Sequence, residues 1–329
     1  MTTIADVASL AGLSNATVSR VINNHPNVTE EKKQKVREAM EALNYFPNSS
    51  AQRLRNQKTD TIAILIPILT NPFFAYLLEA IDTVATQNNL QLLVCQTRYD
   101  KKKELKFLQL LKTKQVDGLI LTSIENDWEI IEEYTSCGPM VLCNEYDRRA
   151  NIPTVRLNQL EAGYLGTKHL LKMGHKKVAI TSGGKSSLAR DRDRGIQKAL
   201  NEYGINVRQE WRVSNVFNME DGCRVFHYLQ NLPDKPTAVF TGSDQVAAGM
   251  LVEAKKSGIS IPQDFAVMGF DDQPISRAMD PELTTIKQPV GEMGRIAMEK
   301  IIDAINGKND SAMKHTLLPF ELVVRGSTK

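Results

Sequence analysis

Between Asn15 and Asn24 the chain carries Asn, Thr, Ser and Arg at its polar positions and no carboxylate. A face chosen only for solubility would usually include acids. This one suits nucleic acid, because Arg and Asn can fork onto base edges while hydroxyls meet phosphate oxygens. Asn15, Ala16 and Arg20 are therefore the candidate base readers, with Arg20 directed at guanine, and Ser14, Thr17, Ser19 and Asn23 the candidate phosphate contacts. A second set sits just past apolar runs. Phe73 and Phe74 follow TIAILIP, Ser123 follows GLILT, Asn144 follows MVLC, and Arg190 and Arg192 follow KVAIT, with Phe217 downstream; Ser243 follows TAVFT and Asp271 follows AVMGF. Aromatic faces beside forked hydrogen-bonding groups suit a polyol, stacking on a sugar ring while Arg192, Asp271 and Asn144 meet its hydroxyls.

Nothing comparable supports catalysis. The GGKSS loop after KVAIT would need a glycine five residues before Gly184 to be a phosphate-binding loop, and that position is Ala179. The five histidines (His25, His169, His175, His227 and His315) have no evident nucleophile partner, and the expectation is that the chain is not an enzyme. Cys95, Cys137, Cys143 and Cys223 are scattered with no C-x-x-C pair, which points to reduced thiols, no metal site and no cofactor beyond a small-molecule effector.

Positioning the first set requires two short helices and a tight turn. Thr3 and Asp6 form a capping box, Ile4, Val7, Ala8 and Ala11 recur at helical spacing, and Gly12 stops the helix. Ser14 caps a second helix that buries Val18, Val21 and Ile22. Two such helices cannot bury a core alone. A third follows, capped by Thr29, with Glu30 and Glu31 at its positive end and Val36, Ala39, Met40 and Leu43 as its apolar stripe. The arrangement is a helix-turn-helix whose second helix would enter a major groove; the alternative is a plain three-helix packing unit. After it, Pro47 ends the helix and Asn48 can cap a further short one to about Arg55, too short to be stable unless docked.

From Thr61 the pattern becomes strands alternating with helices, which predicts α/β architecture with parallel sheets covered on both faces. There are too many strands for one comfortable sheet, so two similar halves are expected. Ligands in such folds bind at the carboxyl ends of strands, where the second set lies. Five members also have a duller reading: Phe73 and Phe74 as core aromatics, Asp271 as a helix cap, Arg190 and Arg192 as part of a solvated charge run.

The chain has 329 residues and a net charge of +3. Residues 1–58 hold eight Lys or Arg against five Asp or Glu, so the whole excess lies there and the rest is balanced. That is the footprint of a DNA-binding head on a neutral body. No run is long and apolar enough to span a bilayer and no signal sequence opens the chain, so a cytoplasmic protein without membrane partners is expected.

IADVASLAGLSNATVSRVINN, the VTEEKKQKVREAMEALNYFPNSSAQRLR run, and then NPFF, VDGLIL, GHKKVAI, DQVAAGML, VMGFDD and LTTIKQP closely resemble the lactose-repressor (LacI/GalR) family of bacterial transcription regulators over nearly the whole chain. The resemblance implies an N-terminal all-α helix-turn-helix head at 1–46 and a hinge helix and linker at 47–60. It further implies a two-lobed, periplasmic-binding-protein-like parallel-sheet core at 61–329. Lobe 1 would be about 61–157 plus 289–319, and lobe 2 about 158–288 plus 320–329. In that picture the hinge helix pairs with its dimer mate in the minor groove. Leu54 wedges between base steps beside Ala51, and Arg53, Arg55 and Lys58 meet phosphates; a flexible tether with Leu54 packed on the body is the alternative. Positions matching Phe73, Phe74, Arg192, Phe217 and Asp271 line the effector cleft. Leu157 and Asn144 depart from the family, standing where relatives often carry acids. The function implied is a ligand-responsive repressor on a pseudo-palindromic operator of double-stranded DNA, its effector a sugar or sugar derivative. No leucine heptad trails the chain, so a homodimer is expected. A sugar-binding protein without a DNA role, and an architectural DNA binder without a ligand, are the competing functions.

Overall fold

The computed structural model describes residues 2–23, 25–46, 58–184, 186–308 and 315–329. The chain forms two compact units, Met1–Lys58 and Thr59–Lys329.

The first unit contains α1 (Ile4–Ala11), α2 (Asn15–Ile22) and α3 (Glu30–Ala42). Thr3 and Asp6 make the reciprocal capping box, and Gly12 sits in the left-handed region at φ 65°, where its missing Cβ removes the penalty of that turn. Ser14 Oγ accepts from Thr17 N at 3.2 Å and starts α2. Val7, Val18 and Val36 are wholly buried and, with Ala8, Val21, Val28 and Ala39, form the core. Two expectations need correction. Thr29 is the N-cap of α3, but its side chain makes no capping bond, so α3 starts on backbone and on Glu30 and Glu31 alone. Ile22 is half-buried rather than core, because three short helices cover only part of each apolar stripe; Met40 and Leu43 share that rim.

In the second unit β1 (Thr61–Ile66), β2 (Gln91–Gln96), β3 (Gly118–Leu121), β4 (Met140–Cys143), β5 (Thr154–Leu157) and, much later, β11 (His315–Leu318) make one parallel sheet in the order β11-β5-β4-β3-β1-β2. Every residue of β1 after Thr61 is buried, since its two faces feed separate cores. Ile62, Ile64 and Ile66 pack under α4 (Pro72–Gln87) and α12 (Val290–Ile305), and Ala63 and Leu65 under α5 (Lys101–Lys112) and the short α6 (Trp128–Glu132). The second sheet, order β7-β6-β8-β9, uses β6 (Val178–Ser182), β7 (Arg212–Ser214), β8 (Ala238–Phe240) and β9 (Ala266–Met268). It is covered by α7 (Gln159–Lys172) and α8 (Ser187–Glu202) on one face and α9 (Met219–Gln230) and α10 (Asp244–Lys256) on the other. After the short α11 (Ile275–Ala278), β10 (Thr285–Lys287) and β12 (Glu321–Val323) form an antiparallel pair beside it.

The chain thus passes between the two sheets three times: after Leu157, near Gln288, and between Leu318 and Glu321. Two glycines bring α7 and α8 together. A Cβ on Gly163 would lie 2.3 Å from Arg192 O, and one on Gly195 1.8 Å from Leu160 O. Backbone contact at those points fixes where α8 stands, and with it Arg192.

Candidate nucleic-acid interface and ligand cleft

On the first unit Asn15, Ala16 and Arg20 stand exposed on α2, while Thr17 and Ser19 are half-exposed beside them. Some of the expected phosphate contacts already hold local bonds. Ser14 Oγ and Thr17 Oγ1 are 2.9 Å apart, and the Asn23 amide donates back to Ser19. Ala51, Arg53, Leu54 and Arg55 lie outside the described residues, so the hinge helix does too.

On the second unit a cleft of about 890 Å³ opens at the carboxyl ends of both sheets. Phe73, Phe74, Ser123, Asn144, Arg190, Arg192, Phe217, Ser243 and Asp271 all line it. Asn71 starts α4 by accepting from Phe73 N at 3.0 Å, which sets Phe73 and Phe74 edge-on to each other at 5.2 Å. Both residues line the cleft and belong to the core cluster beside it, and each is more than nine-tenths buried.

Arg192 is held from three sides. Its Nε donates to Gln159 Oε1 at 2.9 Å, its Nη1 to Gly242 O at 3.0 Å, and its plane lies 3.4 Å from the Phe270 ring centroid. Burial lowers its pKa to about 10, with Asp271 opposing, so it stays charged at neutral pH. Asp271 is no helix cap: it accepts from Gln288 Nε2 at 2.6 Å and from Gln273 Nε2 at 3.0 Å. Burial raises its carboxyl to about 6 against the field of Arg192. Ser243 lines the cleft but is engaged locally, its oxygen capping α10. Arg190 is exposed at the rim, where it also borders a smaller pocket of about 330 Å³.

Strand-end reasoning missed Tyr99, Glu125, Glu145 and Gln288, all of which line the cleft. Tyr99 follows β2 and meets Phe217, from the opposite sheet, with ring centroids 5.3 Å apart; burial pushes its hydroxyl up to about 12. Glu145 comes directly after Asn144, is 3% exposed, and burial raises its carboxyl to about 8. Applying the strand-end rule to β2, and one residue further after β4, finds both. Tyr99, Asn144, Asn215 and Asp271 hold positive φ of 57°, 55°, 61° and 113°. Non-glycine backbone of this kind costs about 1–3 kcal/mol per site and clusters where side chains are aimed at a ligand.

Among the described residues no His, Cys, Asp and Glu cluster could hold a metal ion, and no helix is long and apolar enough to cross a membrane. His169 and His175 meet Thr328 and Thr237, and His227 meets Glu253, which places these three in structural roles.

Residues 3–48 match the family described as bacterial regulatory proteins, lacI family, and residues 59–325 match periplasmic binding proteins and the sugar-binding domain of the LacI family. The NTD biosynthesis operon regulator NtdR of Bacillus subtilis (strain 168) is 44% identical over 329 residues, covering all of both chains. The lac repressor dimer bound to operator and the anti-inducer ONPF superposes with a TM-score of 0.87 at 28% identity, covering 99% of each chain. The regulator CelR in complex with cellobiose gives 0.73 at 26%, over 99% of this chain and 100% of that one.

Proposed function

The chain belongs to the lacI family of bacterial regulatory proteins, and from that membership we propose a cytoplasmic homodimeric repressor whose operator affinity is set by a sugar or sugar derivative. A DNA-binding helix-turn-helix joined to a periplasmic-type ligand-binding domain makes it a transcription regulator of this family. In this reading residues 1–46 are the head, 47–60 the hinge and 61–329 the effector and dimerisation core. Two heads take half-sites of a pseudo-palindrome, because a two-fold dimer presents the same face twice. Arg20, Asn15 and Ala16 read bases, and Ser14, Thr17, Ser19 and Asn23 set the register on phosphates. Leu54, with Ala51 beside it, serves the minor groove, and Arg53, Arg55 and Lys58 meet phosphates. The edge strand β2 leaves Leu93 and Val94 40% and 44% exposed, and α4 leaves Tyr76 half exposed, which suits a partner subunit on that side.

The observation that carries the effector assignment is the meeting of nine strand-end side chains from both sheets around one cleft. The lobes move about the three chain crossings, and a ligand that prefers one lobe arrangement changes DNA affinity by the factor by which DNA changes its own. A gel-shift screen of genomic fragments at low salt, with and without mono- and disaccharides, tests the reading. The expected result is a few retained fragments whose affinity responds to particular sugars. Uniform binding of all fragments, unmoved by any sugar, refutes it.

A further inference from the structure

The cleft carries buried acceptors on both of its walls. Glu125 and Glu145 line the side built from the first sheet, and Asp271 and Gln288 lie across from them. Neither Glu125 nor Glu145 takes part in a salt bridge among the described residues, and Glu145 Oε1 accepts from Tyr146 N at 2.9 Å. Two of the arginines in the lining are engaged elsewhere, while Arg190, also in the lining, and Arg156 act on Glu145. Arg212 is paired with Asp193 and Gln197, and Arg192 with Gln159 and the Gly242 carbonyl.

A second observation is independent of the acids. Gln288 is 7% exposed and its Nε2 is fixed on Asp271 Oδ1 at 2.6 Å, which settles the orientation of the amide. Its Oε1 is then buried, in the cleft lining, without a hydrogen-bond partner. Asn144 Oδ1 is orphaned in the same way. Buried polar oxygens of this kind are destabilising until a donor reaches them.

A sugar hydroxyl brings a donor and an acceptor together, whereas Glu125 and Glu145, once ionised, offer only acceptors. An ammonium brings three donors and no acceptor. We propose that the cleft takes an amino sugar, its ammonium between Glu125 and Glu145 and its hydroxyls on Asn144, Gln288, Asp271 and Arg192. This rests on the reading of the cleft as the effector site. The groups acting on Glu145 are consistent with it: burial and the Glu125 charge hold its proton on, while Arg190 and Arg156 oppose them. An arriving ammonium replaces that proton, so binding near pH 7 releases it to buffer.

The test is calorimetry on the full-length protein at pH 7, in two buffers of different ionisation enthalpy. Glucosamine and its β-1,4 dimer are compared with glucose, cellobiose and N-acetylglucosamine. The expected result is at least tenfold tighter binding of the ammonium probes, with buffer-dependent heat. Glu145→Gln, checked for folding by thermal melt, should abolish that preference and the buffer-dependent heat. Neutral sugars binding as tightly as the amino sugars, or a preference that survives Glu145→Gln, overturns the inference and leaves the sugar reading standing. Binding by none of the five overturns both.

Discussion

The seven candidate DNA contacts on the head lie within ten consecutive positions, Ser14 to Asn23, and none is buried. The cleft residues run from Asn71 to Gln288, and Phe73, Glu145 and Gln288 are each more than nine-tenths buried. One surface is a local pattern displayed on a helix, and the other exists only after two sheets have formed. Recognition on the head can therefore change without disturbing stability, whereas most changes in the cleft also test the fold around it.

The contrast is most sharply tested at the α7–α8 contact. Gly195→Ala drives a methyl into the Leu160 carbonyl and the Tyr164 amide, so the second unit should lose about 3 kcal/mol or more, read as a lowered unfolding midpoint. The same melt on Arg20→Ala should move by less than about 0.5 kcal/mol, while competition binding shows operator affinity down by about 1–3 kcal/mol and sequence preference flattened. Unchanged discrimination by Arg20→Ala would remove it from the base readers. Arg192→Lys keeps the charge but loses the planar fork on Gln159 and Gly242, so effector affinity should fall at least about tenfold, seen by calorimetry, with DNA binding retained.

The pH dependence of stability separates the regions further. Burial raises Glu145 from 4.5 to about 8, so its contribution is fully present below pH 4.5 and is lost as pH rises toward about 8. Glu145→Gln should gain stability relative to the unmodified protein over that window, and a midpoint difference independent of pH would contradict this. The smallest effect belongs to the head. Thr3→Ala breaks a real capping box and should cost about 1 kcal/mol. Thr29→Ala, whose side chain caps nothing, should cost clearly less in the same melt.

These differences also account for what the sequence revealed. Capping residues, Gly12 and the acid-free run are short-range signals, and the head could be read from them almost residue by residue. The alternation of the body fixed parallel sheets, and the strand-end rule reached nine cleft residues because strand termini are local too. Gln288 escaped because its importance comes from Asp271, seventeen positions away, through a hydrogen bond across a chain crossing. Glu145 escaped because nothing in EYDRR says that a carboxylate there will be almost wholly removed from water. Thr29 misled in the opposite direction: a good capping residue stands in the right place, yet its hydroxyl makes no capping bond.

The tilted, touching rings of Tyr99 and Phe217 have a kinetic meaning. They come from different sheets and touch inside the cleft, so parting the lobes has to peel one ring off the other. Where exchange of a small molecule needs that opening, its residence time follows how often the rings separate. Shrinking Phe217 to alanine should accelerate both directions in stopped flow, shortening the memory of a repressor for the metabolite it last met.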